Sequence, residues 1–198
     1  MPGPDIVYLA SASPRRRELL RQLGVEFRVL SPEVDERLQP DERPDAYVLR
    51  LAAMKARAVW EGLAAAGRAP VLAADTTVFA GGEVLGKPAG RDDAIRMLTR
   101  LSGVTHVVLT GIALIDEHGL QQRLSRSEVT FRAIDAAEAV AYWDTGEPCD
   151  KAGGYAIQGF GAGFVRHLSG SFSGVMGLPL FETAALLREA RVPLWRRL

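Results

Sequence analysis

Cysteine is nearly absent. Cys149 is the only one in 198 residues, which excludes an intrachain disulfide and a cysteine-built metal cage. An excess of either charge is also lacking. Twenty-four Lys and Arg residues balance twenty-four Asp and Glu, so no global field draws the chain to nucleic acid or an anionic membrane, and any anion site must be built locally. No apolar run approaches a bilayer span, and the short one near the N-terminus lacks the length and basic flank of a secretory signal. A soluble cytoplasmic protein is therefore expected. There is no GxxxxGK followed by Ser or Thr, no GxGxxG after the first strand and no nucleophile elbow. These absences argue against a P-loop enzyme, a dinucleotide cofactor and an elbow-type serine hydrolase.

What is present starts with IVYLASASPRRRELLRQLG, residues 6–24. An apolar run from Ile6 to Ala10 ends at Ser11. Ser13 is placed to cap a helix whose first position is Pro14, where a missing N–H costs nothing. Leu19, Leu20 and Leu23 form its apolar stripe, and Gly24 closes it. Arg15, Arg16 and Arg17 crowd the end where the helix dipole is already positive and backbone N–H groups lack partners. The arrangement is unfavourable alone and favourable with an anion bound, so the turn reads as a polyphosphate site with Arg15 and Arg16 as the clamp.

The rest of the chain gives helices and strands in alternation. Glu26–Leu30 reads as a strand, followed by an acidic loop, SPEVDERLQPDE, carrying Glu33, Asp35 and Glu36. A long helix is predicted from Pro44 or Asp45 to about Ala66, with Val48, Leu51, Ala52, Val59 and Leu63 facing inward. Lys55 falls on that stripe and must snorkel, pair or meet a ligand. Val71–Ala74 reads as a buried strand that ends at Asp75, with Ser11 and Asp75 both at the carboxyl ends of their runs, where ligands gather in parallel sheets. A buried carboxylate there must be hydrogen-bonded, paired or bound to metal. Gly81-Gly82 centres a hairpin whose return strand delivers Lys87 back towards Asp75. A helix over Asp92–Leu101, strands over His106–Ile115 and Leu124–Ile134, and a capping box at Asp135 and Glu138 follow. Thr145–Gly163 is rich in glycine and carries Asp150, Lys151, Tyr155 and Gln158; it is a surface loop or a base-recognition segment. A strand over Phe164–Leu168 and a helix over Pro179–Arg191 close the chain. The three histidines read as structural. No internal repeat or linker appears, so residues 1–198 are expected to form a single domain.

A polyphosphate needs a basic clamp, and Ser11, Ser13, Arg15, Arg16, Lys55 and Lys87 are the available donors. Hydrolysing it needs an activated water and, as a rule, a divalent ion across phosphate oxygens. Asp75 is the carboxylate for that work, with Glu33 or Glu36 in support. The residues point to a metal-assisted phosphoanhydride hydrolase.

The stretches LASASPRRRELL, SPEVDE, LAADTTV, LGKP, LSGVTHVVLTGIAL, DKAGGYAIQG and SGVMGLPL, in that order, resemble the Maf family of nucleoside triphosphate pyrophosphatases. The resemblance implies an elongated α/β fold, a mixed sheet with flanking helices and two lobes around a central cleft, similar to inosine triphosphate pyrophosphatases. It implies cleavage of the α–β phosphoanhydride to a nucleoside monophosphate and pyrophosphate with a divalent metal, magnesium or manganese. Asp75 matches the family's proton acceptor. Arg15, Thr76 and Gln158 match positions tied to substrate choice, Arg16, Lys55 and Lys87 match phosphate-binding positions, and Glu33 an acidic position near the metal. DKAGGYAIQG is similar to the branch acting on dTTP, UTP and modified uridine nucleotides. The alternatives are the 7-methyl-GTP branch and a nucleotide-binding regulator of septum formation. Thr77 departs from the Val or Ile common after ADT. A nucleoside triphosphate is the expected partner, with no nucleic acid or membrane, and room for a homodimer.

Overall fold

The computed structural model describes residues 4–196. In chain order they form β1 (Val7–Leu9), α1 (Pro14–Gln22), β2 (Phe27–Val29), α2 (Pro44–Gly62), β3 (Val71–Ala80), β4 (Glu83–Leu85), α3 (Arg91–Leu101), β5 (Thr105–Asp116), β6 (Gly119–Phe131), α4 (Ala136–Asp144), β7 (Val165–Ser169), α5 (Phe172–Met176) and α6 (Leu180–Glu189). The strands make one mixed sheet in the order β2-β1-β3-β5-β6-β7, with β4 paired to β3. β1 runs parallel to β2 and β3, whereas β4 and β7 are antiparallel to their partners. A mixed sheet with flanking helices is the architecture expected above. Two compact units divide the chain. One holds the residues up to Asp75, Thr110–Ser125 and those from Gly177 on; the other holds Thr76–Leu109 and Arg126–Met176.

In the first unit α2 lies on the sheet through small side chains. Ala52, Ala56 and Val59 pack against Val71 and Ala73 of β3 and Ala113 and Ile115 of β5. The helix repeat of 3.6 puts positions 52, 55, 56 and 59 on one stripe, and the strand repeat of two puts 71, 73 and 75 on one face. Val48 and Leu51 are fully buried on the same helix, each contributing about 1.5–3 kcal/mol. Contact is close enough at Gly111 that a Cβ there would sit 2.6 Å from the Val48 carbonyl oxygen.

In the second unit Gly81 and Gly82, with φ of 55° and 83°, make the turn that joins β3 to β4. Two successive left-handed residues give the type I′ twist that a two-residue hairpin needs. Asp135 and Glu138 form the expected capping box on α4. His106 is buried as a structural residue. Its Nε2 shares a hydrogen bond with the Tyr155 hydroxyl at 2.9 Å, and its ring meets Phe131 edge-on. Burial pushes its pKa down to about 4.

Several expectations are corrected. β3 does not stop at Asp75 but runs unbroken through it for ten residues, because a carboxylate with buried partners need not end a strand. α2 ends at Gly62, and Leu63 turns extended before a separate 3-10 turn at Ala65–Gly67. β6 begins at Gly119, and α5 was not foreseen. Ser13 sits at the N-cap of α1 without a side-chain cap; the Ser11 hydroxyl accepts the Ser13 N–H instead, at 3.2 Å.

Gly111→Ala should lower stability by about 1–3 kcal/mol, since the new methyl meets helix backbone that cannot rotate away. Denaturant unfolding measures it, and an unchanged midpoint would contradict the close packing of α2 on β5.

Candidate active site

The first unit gathers a buried ion pair and a basic turn. Lys55 Nζ lies 2.7 Å from Asp75 Oδ1, and both side chains are only 11% exposed. The same ammonium lies 2.6 Å from Glu36 Oε1. One lysine thus links a carboxylate in the middle of β3 to one on the acidic loop. Burial pushes the Asp75 carboxyl above its ordinary range, Lys55 and Arg16 pull it down without restoring it, and Glu36 adds to the rise. A carboxyl poised in this way takes up a proton more readily than a surface aspartate.

The loop that carries Glu36 has no regular structure of its own, and α2 holds it. The Tyr47 hydroxyl donates to the Glu36 carbonyl at 2.9 Å. Arg50 makes a two-pronged bond to Glu42, both distances 2.6 Å, and also donates to the Arg37 carbonyl at 3.1 Å. The loop is therefore an ordered part of the site. Glu33 is exposed on it, and the carboxylate that meets Lys55 is Glu36.

The basic turn is built on α1. The Ser11 hydroxyl accepts from Arg16 Nη1 at 3.2 Å, and Arg16 Nε donates to the Gly177 carbonyl at 2.8 Å. Burial lowers the Arg16 pKa while Asp75 opposes the shift, so Arg16 belongs electrostatically to the Asp75 site. Arg15 and Arg17 are half-buried like Arg16. Ala10 N–H donates to the Leu72 carbonyl at 2.8 Å, which carries the chain leaving β1 along β3 towards Asp75. Of the sequence candidates, Ser11, Arg16, Lys55 and Asp75 are thus tied together within one unit. Thr76, Lys87 and Gln158 belong to the other unit. There Thr76 is half-buried on β3, and Lys87 and Gln158 are exposed. Thr77 is buried.

The family model described as Maf-like protein matches residues 6–190. The chain belongs to the Maf family. It is 56% identical over 189 residues to a protein of Alkalilimnicola ehrlichii called dTTP/UTP pyrophosphatase, covering 94% of this chain and 93% of that one. A protein of Cupriavidus pinatubonensis with the same name is 54% identical, covering 95% and 98%. Among solved structures, the Ham1 protein of Staphylococcus aureus is similar with a TM-score of 0.38 at 13% identity, covering 66% of this chain and 72% of that one. The sheet of this Maf chain is defined by its own strand pairing.

Among the described residues no group of three or more His, Cys, Asp or Glu side chains forms a metal cage. Two carboxylates meeting at one ammonium suit a different mode, in which a hard cation is held by one or two carboxylates and by the phosphates of its substrate. Asp75 and Glu36 have the oxygen donors for it.

Lys55→Met leaves Asp75 buried and unpaired, and should cost about 3–5 kcal/mol at neutral pH in denaturant unfolding. The deficit should shrink as pH falls: a carboxyl whose folded pKa is raised binds its proton in the fold before it does in the unfolded chain. A variant as stable as wild type at every pH would contradict the buried pair.

Proposed function

We propose that this Maf chain is a nucleoside triphosphate pyrophosphatase that hydrolyses the α–β phosphoanhydride of dTTP and UTP, and of modified pyrimidine triphosphates, to the monophosphate and pyrophosphate. The observation that carries the reading is the Asp75 carboxyl, buried, raised in pKa and held 2.7 Å from Lys55. The names of the relatives favour pyrimidine triphosphates over 7-methyl-GTP.

In this reading Asp75 is the catalytic base that takes the proton of the attacking water. Arg15, Arg16, Lys55 and Lys87 hold the phosphates, with the Ser11 hydroxyl beside Arg16. Arg15, Thr76 and Gln158 are the positions that the resemblance ties to substrate choice. Asp75 and Glu36 hold a divalent cation, magnesium or manganese, with Glu33 as the further acidic position that the resemblance names. When bound, the cation neutralises charge on the phosphate oxygens. Among the described residues no helix is long and apolar enough to cross a membrane.

Purified protein given magnesium and dTTP should release pyrophosphate and dTMP. Asp75→Asn should reduce kcat by about 10²–10⁴-fold, the usual contribution of a general base, while still binding the nucleotide. Arg15→Ala should raise KM and lower kcat/KM, because contacts to phosphate tighten on the charge of the transition state. Release of orthophosphate would contradict the bond assignment, and no turnover of any triphosphate would contradict the enzyme.

A further inference from the structure

A second carboxylate node lies within the other unit, and no step above uses it. After α4 the chain turns at Gly146 into a short 3-10 turn, Glu147–Asp150. The Glu147 carboxylate accepts three hydrogen bonds. The Tyr142 hydroxyl donates to Oε1 at 2.6 Å, the Gly161 N–H to Oε1 at 3.0 Å and the Phe160 N–H to Oε2 at 3.0 Å. The Tyr142 hydroxyl in turn accepts the Ala156 N–H at 3.0 Å. A Cβ on Gly159 would run into the carboxylate, so the loop closes directly over it. Burial pushes the Glu147 carboxyl up, but its three donors outweigh that and hold it below the ordinary range. It is ionised, and its hydrogen bonds are of the stronger, charge-assisted kind.

The backbone is therefore fastened at residues 156, 160 and 161, on both sides of Gln158. Gln158 itself is exposed. Two side chains of this segment are exposed, Gln158 and Phe160; ordering a loop around them costs conformational entropy, and of the two only Gln158 carries polar groups that such order can aim. A primary carboxamide offers one acceptor and two donors, a set that pairs with the edge of uracil or thymine, where an N–H lies between two carbonyls. Such recognition works only when the group is held to within about 0.5 Å.

We propose that Glu147 and Tyr142 are positioning residues for Gln158, holding the 156–161 loop so that its carboxamide reads the base of the nucleoside triphosphate. The proposal rests on the pyrophosphatase reading and adds to it what aligns the base-reading group.

The test compares Glu147→Ala, Gln158→Ala and the double variant on dTTP and dCTP, with thermal stability measured alongside. Glu147→Ala should lower the dTTP-to-dCTP ratio of kcat/KM about tenfold, chiefly through KM, and Gln158→Ala should lower it by as much; tenfold corresponds to about 1.4 kcal/mol, the scale of one or two hydrogen bonds. The double variant should be no worse than Gln158→Ala, because residues acting through one another do not add. Inorganic tripolyphosphate, which has no base, should inhibit wild type and variants equally. If Glu147→Ala does not fold, Tyr142→Phe and Gly159→Ala carry the same comparison. An unchanged ratio, or additive losses in the double variant, overturns the positioning role while leaving the pyrophosphatase intact. A wild-type protein that cleaves no dTTP overturns the pyrophosphatase reading itself, and the proposal with it.

Discussion

Taking an ammonium and a carboxylate out of water costs several kcal/mol each, and only close contact between them recovers it. Lys55 and Asp75 meet that condition at 2.7 Å, each with about a tenth of its side chain exposed. Two periodicities bring them together. Lys55 shares a helical stripe with Ala52, Ala56 and Val59, and Asp75 shares a strand face with Val71 and Ala73. The alanines on both sides let helix and sheet pack closely, and the lysine that shares their stripe meets the aspartate on one side and Glu36 on the other. Packing of small residues thus sets the electrostatics: what would be a snorkelling lysine on a looser helix becomes the partner of a buried acid.

The same helix organises what lies around that pair. Tyr47 and Arg50 bind the carbonyls of Glu36 and Arg37, and the Glu36 carboxylate reaches Lys55 from the other side. A loop without strand or helix is held by side chains of a rigid element, which is how binding loops obtain accuracy without regular structure. The site is consequently electrostatically asymmetric. One ammonium faces two carboxylates, Arg16 bonds Ser11 and Gly177, and burial keeps the Asp75 pKa high against the pull of both cations, with Glu36 adding to the rise. In the other unit Glu147 does for a glycine-rich loop what α2 does for the acidic one, with a carboxylate gathering amides where the helix supplied donors to carbonyls.

Much of this was legible in the sequence because it depends on local periodicity. The stripe of α2, the Gly-Gly hairpin, the capping box at Asp135 and the arginines opening α1 follow from spacing and turn chemistry alone, and the ordered motifs identify the family. The misreadings share one cause. Asp75 looked like a strand end because a charge interrupts an apolar run, and only the lysine facing it shows that the strand continues. Which carboxylate of the acidic loop meets Lys55 could not be read from spacing, because Glu33 and Glu36 lie on one irregular loop; Tyr47 and Lys55, distant in sequence, hold Glu36 there. Ser13 looked like a cap, but Ser11 takes its N–H. Glu147 carried no signal, since its partners at 142, 156, 160 and 161 are brought together only by the turns between them.

The account depends on Asp75 being a buried, proton-hungry carboxyl restrained by Lys55. Carbon-13 NMR of the side-chain carboxyl measures its pKa directly in wild type and in Lys55→Met. The wild-type value should lie above the ordinary aspartate value of about 4, and removing Lys55 should raise it further, because the ammonium favours the charged form. A wild-type value at or below the ordinary one, or a value indifferent to the loss of Lys55, would contradict it.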